Sequence, residues 1–584
     1  MNAVLPVETL VTDHLDLWTA ALKRKSTAGR GSSSKVELYG IKKLRELILE
    51  LAVRGLLVPQ DPNDEPASEL LKKIAAQKAK LVKEGKIKQD KPLAPIGEAE
   101  RPYKIPAGWN WVRLGEVGNT QTGGTPKKAD SHHYGNAIPF IKPGDIFDGE
   151  IISYENDGLS FEGAETLGRV VQSDSVLMVC IGTIGKCARV DRPVAFNQQI
   201  NSVSPYLPIG HYAKIALRSN YFQRLAWELS SSTTISILNK GKWEAIPIPL
   251  PPLAEQHRIV AKVDELMALC DQLEQQTEAS LGAHQTLVEA LLSALTSAAD
   301  HAQFASAWQR IAGHFDTLFT TEESVDQLKQ TILQLAVMGK LVPQDPNDEP
   351  ASELLKKIAA EKARLVKEGK VRKEKPLPPI ADEEKPFALP SMWVWTRLGE
   401  LSWKITDGEH ISPKKTDRGV PLLSAKDVTS QGILYENPQY VTDEDAVRFR
   451  QRCNPEPGDI LICSRGTIGR CAIVESDQIF CLMGSVILVK TSHEYDKRYV
   501  LRFLQTNLAQ EWMLGASYAT AVSALYLKDV TKCLSPLPPL PEQHRIVAKV
   551  DELMALCDQL KSRLSAAQTT QLHLADALVE QAIC

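Results

Sequence analysis

Apolar residues recur at helical spacing in two distant places along this chain. Ile41, Leu44, Ile48 and Leu51 follow a 3-4-3 spacing, which puts them on one face of a helix. Gly55 predicts the cap that ends it, and Pro59 stops the chain from resuming helix. A second helix is predicted after Pro66, with Leu70, Leu71, Ile74 and Leu81 on its buried side. The same signals return at Gly339, Pro343 and Pro350, so a helical block at 35–84 is matched by one at 324–368. Lys/Pro-rich linkers follow at 86–106 and 370–390. There the period changes. WNWVRLGEV at Trp109 and WVWTRLGEL at Trp393 open stretches of short β-runs broken by Gly, Pro and Asp. AIPFIKPGDI and VLMVCIGTIGKCARV in the first stretch, and VPLLSAKDV and DILICSRGTIGRCAIV in the second, are strand–turn–strand patterns. Helices are predicted at 212–229 and 495–514. Each stretch reads as a mixed α/β domain of roughly 140 residues.

Each domain is followed by a Pro-rich brake, PIPLPPLAEQ or SPLPPLPEQ, and then by a heptad seam. The first seam is Ile259, Val263, Leu266, Cys270 and Leu273, and the second is Ile546, Val550, Leu553, Cys557 and Leu560, with Leu564 beyond. Each helix is expected to run about 40 residues, or about 60 Å. Such a helix needs a partner, most economically the other copy or the helical block that follows it. The expected fold is α/β mixed: two α/β domains joined by long helices in a pseudo-twofold tandem repeat. Its parts are a helical region at 1–106, a domain at 107–249, a long helix plus helical block at 250–390, a second domain at 391–536 and a last helix at 537–584. The order block–domain–helix, taken twice, could close circularly.

The repeat is literal in places. LVPQDPNDEPASELLKKIAA at 57–76 recurs unchanged at 341–360, and 250–273 recurs at 537–560 with the single change of Ala254 to Pro541. Between these blocks the copies share little, and 131–157 aligns poorly with 413–437. Alike frames with unlike inserts ask the frames to do one job and the inserts to do different ones.

Composition adds bounds. The 584 residues, 43% hydrophobic and 24% charged, suit an ordinary globular protein of roughly three to five domains. No apolar run is long enough to span a bilayer, and 1–12 lacks a signal-peptide pattern. Ten cysteines lie among apolar neighbours without a C-x-x-C, as expected of buried thiols in a reducing cytoplasm. The net charge of −4 does not advertise nucleic-acid binding, but phosphate contact needs only a local patch.

Catalytic signatures are missing. Gly182-Thr-Ile-Gly-Lys186 is no phosphate loop, because Cys180 and Cys187 stand where that motif needs Gly and Ser/Thr. Asn454-Pro455-Glu456-Pro457 breaks an Asn-Pro-Pro-aromatic motif at its third place, and Glu383-x-Lys385 sits in a charged linker. His132 and His133 have no Cys or His partner at metal spacing, so no metal ligands are assigned.

What remains is recognition chemistry. Thr122, Gly123, Gly124, Thr125, Lys127 and Lys128 combine flexible glycines, hydroxyls and cations in one loop. The matching loop carries His410, Lys414 and Lys415. Lys and backbone amides suit phosphates, whereas Asn, Gln, Arg, Ser and Thr suit base edges. The two GTIG turns are each followed by a cation, Lys186 or Arg470, and Arg465 precedes the second. These turns read equally well as hairpins whose glycines serve positive φ. Asn197, Gln198, Gln199, Thr233 and Thr234 are further polar candidates for a DNA face, or only local caps.

These residues resemble the specificity (S) subunits of type I restriction–modification enzymes, most closely the type IB branch. The resemblance covers essentially the whole chain. It rests on GKLVPQDPNDEPASELL at Gly339–Leu355, WxWxRLGE at Trp109 and Trp393, GGTP at Gly123, GDI…RGTIG at Gly458–Gly469, and PLPPLxEQHRIV at Pro249 and Pro536. It implies two target recognition domains joined by helices that pack as an antiparallel coiled coil. It implies a non-catalytic subunit that binds no cofactor itself and reads a split, asymmetric site on double-stranded DNA. Its implied partners are two modification subunits, which use S-adenosylmethionine to methylate adenine, and two restriction subunits, which use ATP and Mg. One departure matters: Gly408-Glu409-His410 stands where the other loop has Gly123-Gly124-Thr125. The competing readings are a scaffold whose unlike domains bind proteins, and a stand-alone nuclease or methyltransferase, which the missing motifs disfavour.

Overall fold

The computed structural model describes residues 7–24, 36–127, 130–147, 152–231, 235–411, 416–518 and 524–583. The chain is mixed α/β and divides into two compact units, Met1–Leu281 with Ala567–Cys584, and Gly282–Ala566.

In the first unit the helix Tyr39–Arg54 buries Ile41, Leu44, Ile48 and Leu51. It ends at Gly55, whose φ of 71° is left-handed and whose missing Cβ leaves room for Pro106. The helix Ala67–Lys83 follows Pro66 and buries Leu70 and Ile74. Strands Asn110–Arg113 and Pro247–Leu250 pair antiparallel and bracket the α/β domain. Inside it, Gly118–Thr122, Ile200–Pro205, Val176–Val179 and Cys187–Arg189 lie side by side in that order, all antiparallel. Val176–Val179 is buried throughout, which explains its unbroken apolar run. A smaller sheet orders Gly158–Leu159, Tyr134–Ile141 and Ala195–Phe196, the last pair parallel.

The predicted helix at 212–229 is two helices, Gly210–Arg218 and Asn220–Glu228. Ser219 between them is buried, and its hydroxyl caps the second by accepting from the Phe222 amide at 3.2 Å. A serine between Arg218 and Asn220, flanked further out by apolar residues at helical spacing, reads as mid-helix in the sequence, but here it starts a new helix.

This unit also holds the end of the second long helix. Tyr39 donates to Asp576 Oδ1 at 2.8 Å, Arg54 to the Ile583 carbonyl at 2.8 Å and Gln568 to the Leu22 carbonyl at 2.7 Å. Ala575 and Val579 join the buried cluster of Ile259, Val263, Leu266 and Cys270, with Leu273 partly buried against it. Arg45 of the helical block reaches Asp271 and Glu274 at 2.8 and 2.6 Å.

The second unit is built from the same parts. Helices Glu322–Val337 and Ala351–Lys367 form its block, with Gly339 at a φ of 71°. Val394–Arg397 pairs with Leu534–Leu537. Ser402–Asp407, Val486–Thr491, Ile460–Cys463 and Cys471–Ile473 form the antiparallel sheet in that order, and Gln439–Val441, Val420–Leu423 and Cys481–Leu482 the smaller one. The helix predicted at 495–514 is again broken, into Lys497–Leu504 and Asn507–Tyr518, with buried Thr506 at the joint. Ile546, Val550 and Cys557 cluster with Val288, Leu292 and Leu295, while Leu553, Leu560 and Leu564 are partly buried. The long helices are Leu253–Ser297 and Leu540–Ile583, of 45 and 44 residues.

The charged linkers are fastened. Arg113, 5% exposed, donates to Glu100 at 2.6 Å and to the carbonyls of Ala94, Pro95 and Ala245. Arg397, 3% exposed, does the same with Glu384 at 2.9 Å and the carbonyls of Pro378 and Lys532. The repeated blocks also meet each other. Arg258 pairs with Asp64 at 2.6 Å and Arg545 with Asp348 at 2.7 Å. The Trp109 and Trp393 indoles donate to Glu255 and Glu542, each at 2.9 Å. Burial pushes both carboxyls above the usual carboxylate range. Letter-for-letter repetition therefore reproduces the same contacts in each unit.

Candidate nucleic-acid interface

In the first domain the loop after Gly118–Thr122 is held rather than flexible. The Gly123 amide donates to the Ile200 carbonyl at 3.0 Å and the Gly124 amide to the Phe196 carbonyl at 2.9 Å. A Cβ on Gly123 would lie 2.1 Å from the Asn197 carbonyl oxygen, so glycine here permits close backbone approach instead of mobility. Arg169, which no motif marks, donates to the Thr122 and Gly123 carbonyls at 3.0 and 2.5 Å. Thr122 bonds Asn201 at 2.8 Å, and exposed Thr125 bonds exposed Gln198 at 2.6 Å. Asn197 is 7% exposed and braces Gln199 through its carboxamide, which takes it out of the surface. Lys127 is exposed. Lys128, Thr233 and Thr234 lie outside the described residues, as do Lys414 and Lys415.

The second domain repeats the backbone with other side chains. The Gly408 amide donates to Val486 at 3.2 Å and the Glu409 amide to Leu482 at 2.8 Å, so Gly408-Glu409 occupies the place of Gly123-Gly124. A Cβ on Gly408 would meet the Leu482 carbonyl oxygen at 2.1 Å. His410 stands exposed, its Nε2 at 2.7 Å from Asp407, whose other oxygen takes the Arg452 guanidinium. Lys404 donates to the Arg452 carbonyl at 2.6 Å, and burial lowers its pKa.

The GTIG turns are tight turns. Gly182, Gly185, Gly466 and Gly469 have φ of 81°, 107°, 76° and 84°. Gln223 and Gln510 donate to the carbonyls of Gly185 and Gly469 at 3.0 and 2.9 Å. The cations that follow are tethered: Lys186 donates to the Ile146 carbonyl at 3.2 Å and Arg470 to the Val428 carbonyl at 3.3 Å. Arg465 is exposed and faces a cleft of about 690 Å³, lined also by Asp407, His410, Tyr526 and Lys528. Tyr526 and Lys528 had no motif to mark them.

His132 and His133 do gain a partner that spacing did not reveal. Their ring nitrogens and a Glu162 carboxylate oxygen lie within 4.8 Å of one another. Glu162 arrives because Ser160 donates to the His132 carbonyl at 2.7 Å and caps the helix Phe161–Leu167. The nine described cysteines are buried, and burial pushes the Cys180, Cys187 and Cys471 thiols up to about 12. No described helix is long and apolar enough to cross a membrane.

The family model for the type I restriction modification DNA specificity domain matches this chain twice, at residues 106–283 and 390–567. The type I restriction enzyme EcoAI specificity subunit of Escherichia coli is 42% identical over 601 residues, covering 99% of this chain and 100% of that protein. The EcoEI specificity subunit, also from Escherichia coli, is 40% identical over 608 residues, with 99% and 100% covered. The crystal structure of the HsdS subunit from Thermoanaerobacter tengcongensis is 20% identical, with a TM-score of 0.40 over 82% of this chain and 98% of that one. With the family's domain present twice and full-length relatives at this identity, the chain belongs to the type I restriction modification DNA specificity family.

Proposed function

We propose that this chain is the DNA-reading subunit of a type I restriction–modification complex, with each α/β domain reading one half of a split, asymmetric duplex site. The observation that carries this reading is one backbone frame presenting two unlike sets of polar side chains: Thr125 and Gln198 in the first domain, His410 and Arg465 in the second. Two unlike faces on like frames suit two unlike half-sites.

In this reading the long helices form an antiparallel coiled coil that sets the distance between half-sites. The start of each helix seam clusters with the end of the other helix, which supports that pairing. The frame, repeated letter for letter, docks two modification subunits, and restriction subunits join for cleavage. Chemistry, with its S-adenosylmethionine, ATP and Mg, belongs to those partners in the cytoplasm. Lys127 contacts phosphate, as do Lys128, Lys414 and Lys415; base contacts come from side chains with paired donors or acceptors.

The test is a domain exchange. Replacing 110–250, between the paired bracketing strands, by the same domain of a relative should change only one half of the methylated target. Mapping methylated adenines in a host genome reads this directly. A change in both halves, or in neither, would sink the modular reading.

A further inference from the structure

We propose that the cleft of the second domain receives a guanine from the DNA, with Arg465 donating to its O6 and N7. This rests on the DNA-reading function above and names the base and the residue. The cleft lies between the 407–410 loop, the turn at 464–467 and the 524–528 segment, with Leu525 and Ile487 in its lining.

The platform under Arg465 is fixed, while its exposed side chain has no hydrogen bond or ion pair among the described residues. The Ser464 amide donates to the Ser485 carbonyl at 2.9 Å, its carbonyl accepts from the Leu525 amide at 2.9 Å, and its hydroxyl reaches Gly484 at 3.3 Å. On the far side the Gly469 amide donates to the Cys463 carbonyl at 3.0 Å. Gly466, at a φ of 76° with nothing within 4 Å of a Cβ, leaves space beside the arginine. Arg465 itself is exposed, whereas its neighbours are committed: Arg470 to Val428, and Arg452 to Asp407.

The chemistry of the cleft selects the ligand. Asp407 is the carboxylate among its described lining residues, and both oxygens are already engaged, by His410 and by Arg452. What faces outward is therefore donor-rich: the five N–H groups of a guanidinium, and Lys528 with its ammonium 5.9 Å from the Tyr526 ring centroid. A donor fork needs an edge with two adjacent acceptors. Among base pairs in the major groove, guanine offers that edge in O6 and N7. Lys528, a point charge, suits the flanking phosphate. The first domain has Ile181 before its own Gly182 turn, so this contact belongs to one half-site alone.

The experiment uses the full chain assembled with its modification subunits. Binding is measured on duplexes carrying the mapped target, with each base pair of both half-sites varied in turn, for wild type, R465K and R465A. The expected result is that both variants lose about tenfold to a hundredfold of discrimination at one G·C position in the half-site read by the second domain. Discrimination in the other half-site and the salt slope stay as in wild type. R465K keeps the charge and the fold but not the fork, so full discrimination by R465K overturns the proposal. A uniform loss on all duplexes with a shallower salt slope also overturns it, by making Arg465 a phosphate contact. A wild-type complex with no base preference in that half-site would instead defeat the DNA-reading function itself.

Discussion

At one strand end the first domain carries Gly124-Thr125 and the second carries Glu409-His410, yet the amides of Gly124 and Glu409 make the same bond to the neighbouring strand. At the GTIG turns the first domain has Ile181 and the second Arg465, on backbones braced alike by Gln223 and Gln510. At these two places the difference between the domains thus lies in side chains rather than in the backbone bonds that hold them. A recognition surface can change there without disturbing what holds it, because the cost of folding is met by buried contacts elsewhere.

The comparison breaks most severely if the frame is cut. Arg113→Ala and Arg397→Ala should each destabilise the protein by about 3 kcal/mol, since each leaves several carbonyl and carboxylate acceptors without a donor. Calorimetry of the two variants should show similar losses. A large loss for one and none for the other would mean that the two linkers are held differently.

A smaller effect comes from the glycines that let the backbones approach. Gly123→Ala and Gly408→Ala should both weaken DNA binding and stability, by about 2 kcal/mol of stability each, because the new Cβ meets backbone that cannot move aside. Gly124→Ala meets only Leu167 and Arg169 side-chain atoms at 3.1 and 3.2 Å and should cost less. Equal losses at Gly123 and Gly124 in thermal melts would show that the loop is softer than its hydrogen bonds suggest.

The smallest effect is expected at Lys127. Lys127→Ala should weaken cognate and scrambled duplexes by the same factor and flatten the slope of log K against log salt by up to about 0.9. Loss on the cognate duplex alone, at an unchanged slope, would make Lys127 a base reader.

Much of the frame was readable from the chain alone. The 3-4-3 and heptad spacings locate the helices, since periodic burial writes itself into sequence. The break at Ser219 was not readable, because one buried hydroxyl decides between a continuous helix and a cap. The site was legible only in outline. The loops could be found by their glycines and cations, but Arg169 and Tyr526 come from distant segments and carry no local signal. Asn197 reads from the sequence as a DNA contact or as a local cap, and its carboxamide turns onto Gln199, a choice that depends on side-chain orientation.

The reach of Ala575 and Val579 into the first unit's core has a consequence for the order in which that core can be completed during synthesis. The second unit is one uninterrupted stretch, 282–566, and all of it is synthesised before residues 567–583. The first unit, though begun earliest, waits for those residues to supply Asp576, Val579 and the Ile583 carbonyl. The nascent chain therefore carries an unfinished apolar surface around Val263, Leu266 and Cys270 until residues 567–583 emerge, and the half that starts first is not the first to be finished.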